Sequence, residues 1–276
     1  MFKFKQASAV LVGLLAVILF MAGGCADKTT DKSADKSQPE VSDNSWTTVE
    51  KNGELVVGMC AQYPPFESIN EKTNQPEGFD VDLANALGKN LGVKVKFIDA
   101  QWEALLAGVE KGDYDVLITC MSKQEAASAN INVSDVYYEL NDIIVVKQGN
   151  DSIKTVDDLK DKVVGVQSAS SCEIAADSLS GLKEIKRYNY NPEAFIDLTN
   201  DRVDAVIVGY AYAATQIKDK SDLKIIDTPV GETSEIVMVN KKGADALTAK
   251  LNEALKAIKA SGEYDQIHDK WLKLQI

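Results

Sequence analysis

The sequence predicts an α/β protein made of two similar lobes in tandem, joined by two extended strands. Three observations carry this. From Gly53 onward, β-branched apolar runs alternate with segments of helical period. The same order of strand and helix then recurs, and extended apolar runs at 135–149 and 234–243 follow the first and second rounds. Alternation of this kind places crossover helices between parallel strands, and a repeated order indicates a repeated unit.

The chain opens with MFKFKQASAVLVGLLAVILFMAGGC, in which Lys3 and Lys5 precede an apolar run from Ala9 to Ala22. The run is shorter than the roughly 20 residues of a spanning helix, so 1–24 reads as an export signal. The small residues Ala22, Gly23 and Gly24 ahead of Cys25 suit cleavage and lipidation, although lipoprotein signals usually carry Leu where Ala22 stands. Lipidated Cys25 would become the first mature residue, and a diacylglyceryl group gives stable attachment. Residues 25–50 are rich in Asp, Lys, Ser and Thr and read as a flexible stalk.

The first lobe runs over 51–142. ELVVGMC is a strand, FDVDLANALGKNLG a helix and KVKFI a strand. Asp80 is positioned to cap that helix, Val81, Leu83, Ala84, Leu87 and Leu91 give it an apolar stripe, and Gly92 ends it. WEALLAGVEKG is a second helix and YDVLITC a buried strand. The second lobe, 143–233, repeats the order: KVVGVQS, SCEIAADSL, EIKRYNY, PEAFIDLTNDR and VDAVIVG. The run DVYYELNDIIVVKQG crosses between the lobes. SEIVMVNKKG crosses back, so that 234–276, helical in two parts broken at Gly262, returns to the first lobe. A cleft between hinged lobes is the natural ligand site.

Composition narrows the function. The formal charge is −12, or −14 once Lys3 and Lys5 leave with the signal, and no basic cluster points to nucleic acid. The four cysteines include no CxxC pair and there is one histidine, His268, so neither a metal nor another cofactor is expected.

The residues after the stalk resemble the family 3 extracellular solute-binding proteins of ABC importers, which mostly serve polar amino acids. The resemblance is carried by VGMCAQYPPFE, GFDVDLANALGKNLGVKVKF, the Trp102 helix, GDYDVLI, SDVYYE, VGVQSASSCE, RVDAVIV and SGEYDQIHDKW. It implies two Rossmann-like lobes of the type II periplasmic-binding fold, closure on one small ligand and delivery to a membrane ABC permease. A lipid-anchored monomer on the extracytoplasmic face of the cell membrane, without catalysis, is the corresponding expectation.

The resemblance also implies site residues. Tyr63 or Phe66 would form an aromatic wall and Trp102 an opposing platform, against the alternative that these rings only pack. Facing rings attract a cation by roughly 0.5–2 kcal/mol. Thr119, Cys120, Met121 and Ser122 fall where the family offers carbonyls and a hydroxyl to the ligand's amino end. In the second lobe Ser168, Ser170 and Ser171 open a helix, with Ser170 and Glu173 spaced as a capping box and free N–H groups suited to an anion.

Two departures stand against the family pattern. Ala127 occupies the place of the arginine that forks onto an α-carboxylate, and Gly209 the place of the acid that takes the α-ammonium. Each lost ion pair forfeits roughly 1.5–3 kcal/mol. Lys123 could stand in for the arginine, while Tyr210, Tyr212, Tyr137, Tyr138 and Glu235 fit an amine or quaternary-ammonium ligand. Cys60 and Cys120 either pair as a disulfide or stay buried thiols, and Cys172 at a helix start is expected to be the more reactive thiol. Two competing functions remain, a sensory binding protein and an enzyme resembling cyclohexadienyl dehydratase with Glu173 as general acid.

Overall fold

The computed structural model describes residues 43–218 and 222–273, all within the compact unit Ser42–Ile276. The export signal, Cys25 and the greater part of the stalk lie outside the described residues.

The chain begins with α1 (Ser45–Asn52), β1 (Glu54–Met59) and the small antiparallel strands β2 (Gln62–Tyr63), β3 (Glu67–Ile69) and β4 (Pro76–Glu77). There follow α2 (Phe79–Leu91), β5 (Lys94–Asp99), α3 (Trp102–Lys111), β6 (Val116–Leu117), α4 (Lys123–Ala126) and β7 (Ile131–Val133). Strand β8 (Tyr138–Leu140) leads to β9 (Asp142–Lys147), β10 (Val163–Gln167), α5 (Ser171–Ser178), β11 (Glu184–Tyr188) and α6 (Asn191–Thr199). The chain continues through β12 (Ala205–Gly209), α7 (Tyr210–Ile217) and β13 (Leu223–Ile226). It ends with β14 (Ser234–Ile236), β15 (Val239–Lys241), α8 (Asp245–Ser261) and α9 (Glu263–Trp271).

These strands form two five-stranded sheets, ordered β5-β1-β6-β15-β7 and β11-β10-β12-β9-β13. In each, three parallel strands carry the βαβ pattern read from the sequence. The sheets are mixed rather than parallel throughout, because the strand that follows each hinge strand enters antiparallel: β9 beside β12, and β15 beside β6. The run at 135–149 is therefore two elements, the hinge strand β8 and the sheet strand β9. Hinge strands β8 and β14 pair antiparallel, placing Glu139 opposite Glu235. Strand β15 returns the chain to the first sheet, as the second crossing requires.

Helix α2 shows how the motif GFDVDLA works. Gly78 precedes the helix at φ +136°, where a Cβ would lie 2.1 Å from the Phe66 carbonyl oxygen, so only glycine fits. Asp80 is not the cap: it lies inside the first turn, buried, and its carboxylate accepts from the Cys120 N–H and the Tyr137 hydroxyl. Gly92 closes the helix in the left-handed conformation, as its position predicts. Helix α2 packs against α8 and α9, with Leu83 and Leu87 meeting Leu251 and Leu255 in one core.

The stalk is shorter than the composition implies, since Ser45–Asn52 is helical with Val49 buried on the α8 side. The physical reason lies at the start of α8. Ala244 has no side chain that can cap, and the free N–H groups of Ala246 and Leu247 donate instead to the Asp43 carboxylate and the Ser45 hydroxyl. A segment some 200 residues earlier in the chain thus caps α8. Asp43→Ala is expected to cost about 1 kcal/mol, and Leu251→Ala, at a fully buried position, about 2–5 kcal/mol. Urea unfolding would check both, and equal effects would contradict this reading.

Candidate functional site

A cleft with a cavity volume of about 30 Å³ lies between the two sheets' loops. The first lobe supplies Cys60, Gln62, Tyr63, Glu67, Trp102, Thr119, Cys120 and Glu125. The hinge adds Leu140 and Ile236, and the second lobe Gln167, Ser170, Ser171, Cys172 and Asn191.

The two lobes present matched loops to it. Cys120 and Ala169 both hold left-handed backbone, φ +48° and +57°, costly for residues other than glycine. Each is followed by a serine that caps a helix: Ser122 accepts from the Glu125 N–H, and Ser170 from the Glu173 N–H. At α4 the capping box is complete, with Glu125 accepting from the Ser122 N–H. At α5 the Glu173 carboxylate instead accepts from the Ala169 N–H and is held by the Arg187 guanidinium, so only half of the expected box forms.

Three contacts cross the cleft. Tyr63 stacks on Tyr212 with ring centroids 4.7 Å apart and planes 7° from parallel, a pairing worth about 0.5–1.5 kcal/mol beyond area burial. A Cβ on Gly209 would lie 2.4 Å from the Tyr63 hydroxyl, so the missing side chain makes the space that the ring occupies. The Trp102 indole N–H donates to the Ala169 carbonyl at 3.0 Å. The Glu125 carboxylate accepts from the Ser171 N–H at 2.6 Å, the first residue of α5.

Carboxyl groups dominate the electrostatics. Glu67 is buried and accepts from the Thr119 hydroxyl, which in turn accepts from the Cys60 N–H. Burial pushes the Glu67 carboxyl well up, and the Asp80 charge and the hydrogen bond between the two acids add to it. Asp80 is raised to about 7 by burial, against the opposing pull of its hydrogen bonds to Glu67, Tyr137 and Cys120. Glu125 is likewise raised to about 7 by burial, with Asp142 assisting and its Ser122 and Ser171 donors opposing. Asp142 lies beside the cavity, directly across the sheet from Gly209, and accepts from the Ser171 hydroxyl; burial raises it too. Among the described residues no Lys, Arg or His lines the cavity, and no group of metal-binding side chains is assembled.

Of the residues singled out from the sequence, Tyr63, Trp102, Thr119, Cys120, Ser170 and Ser171 line this cavity. Gly209 borders it through the Tyr63 hydroxyl. Phe66 does not: it is wholly buried in the first-lobe core against Phe79 and Tyr138. Met121 points into the adjoining core with Leu105 and Val237. Ser122 is spent as a cap. Ser168 donates its N–H to Tyr188 at the strand end and Tyr210 packs in the second lobe, both off the cavity. Glu235 is on the hinge strand, half-exposed, and pairs with Lys123 at 2.9 Å, which removes both from the cleft.

The thiol expectations also change. Cys60, Cys120 and Cys172 are free and buried. Cys172 is not activated by its helix, because burial and the neighbouring Asp142 push its thiol well up, and burial lifts Cys60 to about 12. The sequence reading passed over Glu67, Glu125, Gln167, Asn191 and Asp142. Only Glu125 had a legible signal, the S-x-x-E spacing from Ser122.

Two lobes joined by two strands and closed over a polar cavity define a hinged solute-binding protein. The chain belongs to the bacterial extracellular solute-binding proteins, family 3, whose model matches residues 55–274. It is 33% identical over 220 residues to the ABC transporter arginine-binding protein 1 of Escherichia coli strain K12, covering 78% of this chain and 88% of that one. Among solved structures, an ancestral arginine-binding protein bound to arginine superposes with a TM-score of 0.75 at 38% identity, over 80% of this chain and 98% of that chain. The ancestral amino acid-binding protein AncCDT-1, a precursor of cyclohexadienyl dehydratase, gives 0.75 at 31% identity over 82% and 98%.

The raised carboxyls fix the sign of a pH effect. The Glu125 carboxyl holds its proton more tightly in the fold, at about 7, than at its ordinary 4.5. Its contribution to stability is complete below pH 4.5 and is lost as the pH rises through about 7, on the order of 3 kcal/mol. Asp80 acts in the same direction. The melting temperature of the ligand-free protein should therefore fall between about pH 5 and 8, and Glu125→Gln should flatten much of that fall. A melting temperature that climbs across this range would contradict the assignment.

Proposed function

We propose that this chain is the substrate-binding component of an ABC importer, lipid-anchored through Cys25 on the extracytoplasmic face and capturing an amino acid or related small amine by lobe closure. The observation that carries the reading is the set of cross-cleft contacts made by Tyr63, Trp102 and Glu125 over one enclosed cavity. A hinge of two short strands lets such contacts form and break as rigid lobes move. The arginine-binding relatives support a cationic solute, since this cavity is lined by carboxylates and aromatic rings. The partner is a membrane permease, and the protein acts as a monomer that presents its closed form.

A general acid would find a proton at Glu125, whose carboxyl is poised near neutrality. Glu173, the acid named from sequence, is held by Arg187 and does not line the cavity. No cavity cation is available for a carboxylate substrate such as prephenate or arogenate, which favours binding over turnover.

The test is a thermal-shift and native-mass screen of amino acids and amines. One ligand per chain should raise the melting temperature, because a ligand held only by the fold adds RT ln(1 + [L]/Kd). Gly209→Ala should weaken that binding by at least about tenfold while leaving each lobe folded, since its Cβ meets the opposing Tyr63. A flat screen would count against the reading. Anchoring has its own check: labelled fatty acid should enter the wild type and be absent from Cys25→Ser, and equal labelling would overturn it.

A further inference from the structure

We propose that the cleft is built for an aliphatic amine or guanidine that carries no carboxylate, and that Glu125 stands where an amino acid would place its own. This rests on the solute-binding reading above and narrows its substrate class.

The start of α5 is where an incoming carboxylate would find N–H donors. Three of the donors there are already taken from within the protein. The Ser171 N–H donates to Glu125, the Ala169 N–H to Glu173, and the Glu173 N–H to the Ser170 hydroxyl. A ligand carboxylate would meet the Glu125 side chain at 2.6 Å from the same Ser171 nitrogen, without a cation to offset the repulsion. Both arginines of the chain are engaged elsewhere, Arg187 with Glu173 and Asp177, and Arg202 with Asp197. Lys123 is held by Glu235 outside the cavity.

The groups left without partners ask for a donor. An amide relay fixes the polarity of the second-lobe wall: the Gln167 amide N–H donates to the Asn189 carbonyl, so its oxygen faces the Asn191 amide N–H, and the Asn191 Oδ1 is left over. Asn191 is only 4% exposed and lines the cavity. The Asp142 carboxyl is not among the groups lining the cavity; it accepts from the Ser171 hydroxyl, and its Oδ1 is also buried and unpartnered among the described residues. Both atoms accept and neither can donate once Asp142 is ionised. Glu67 and Asp80 can satisfy each other by sharing a proton, which still leaves that pair with one negative charge. Across the cavity, on the first-lobe wall, Glu67 and Glu125 add their carboxyls. A cation donating to the Asn191 oxygen, beside the Tyr63 and Trp102 rings that line the same cavity, answers that charge and that orphaned acceptor together.

Paired ligands that differ only by the carboxylate decide the matter by calorimetry on the purified protein: L-arginine against agmatine, and L-lysine against 1,5-diaminopentane. The wild type should bind the decarboxylated member about tenfold or more tightly, and Glu125→Ala should shrink that preference by about tenfold. Tighter binding of the amino acids by the wild type would overturn the proposal and leave the solute-binding reading intact. So would binding of only neutral or anionic solutes from a wider panel. No binding by any solute would overturn both. A folded Glu125→Ala protein with an unchanged preference would remove Glu125 from the role, and the wild-type comparison decides the ligand class whether or not that variant folds.

Discussion

Closing two lobes over a cavity takes every polar group on its walls out of water, and a buried group without a partner is costly. Here the walls carry Glu67 and Glu125, Asp80 and Asp142 are buried nearby, and among the described residues no cation lines the cavity. Much of the surrounding structure follows from supplying these acids with donors. The Cys120 N–H and Tyr137 hydroxyl go to Asp80, the Thr119 hydroxyl to Glu67, and the Ser171 hydroxyl to Asp142. The left-handed backbone at Cys120 belongs to the loop that delivers one of these donors. Burial raises all four carboxyls together.

The fold makes this possible through its repeat. In the first lobe the third parallel strand, β6, turns through left-handed Cys120 into a helix capped by Ser122; in the second it is β10 that turns through left-handed Ala169 into a helix capped by Ser170, while β12 runs through Gly209 into α7. Each hinge strand then donates its successor antiparallel into the next sheet, so neither lobe can complete its sheet without the crossing. The hinge is therefore short because both of its ends are already sheet strands. Rigid lobes with a two-strand joint concentrate motion at the cleft, where Tyr63, Trp102 and Glu125 make and lose their contacts.

Most of the architecture was legible because it depends on period and punctuation: alternating helix and strand segments, Gly78 and Gly92 around α2, the paired hinge runs. The stalk was read from composition, and composition gave it too many residues, since the helix at 45–52 packs on α8 and caps it. The cleft was less legible. Phe66 and Met121 sit beside true wall residues in sequence, and only the turn geometry sends one ring to the cavity and the next to the core. Glu67, Asn191 and Asp142 open strands or helices in positions that carry no local pattern. They become wall residues through sheet register.

The two departures from the family pattern turn out to be coupled. Gly209 lacks the acid, and the space it leaves is filled by the Tyr63 hydroxyl from the other lobe; the acid itself appears one strand away, at Asp142, its direct partner in the sheet. Ala127 ends α4 and brings no cation, while the capping box at the start of the same helix holds Glu125, whose carboxylate accepts from the Ser171 N–H across the cleft. One change moves a negative charge sideways, and the other replaces a positive charge by a negative one. A zwitterion needs both signs from its site. After both changes the cavity lining carries carboxyls and no cation among the described residues, which is the property from which the proposed preference for a solute without a carboxylate follows.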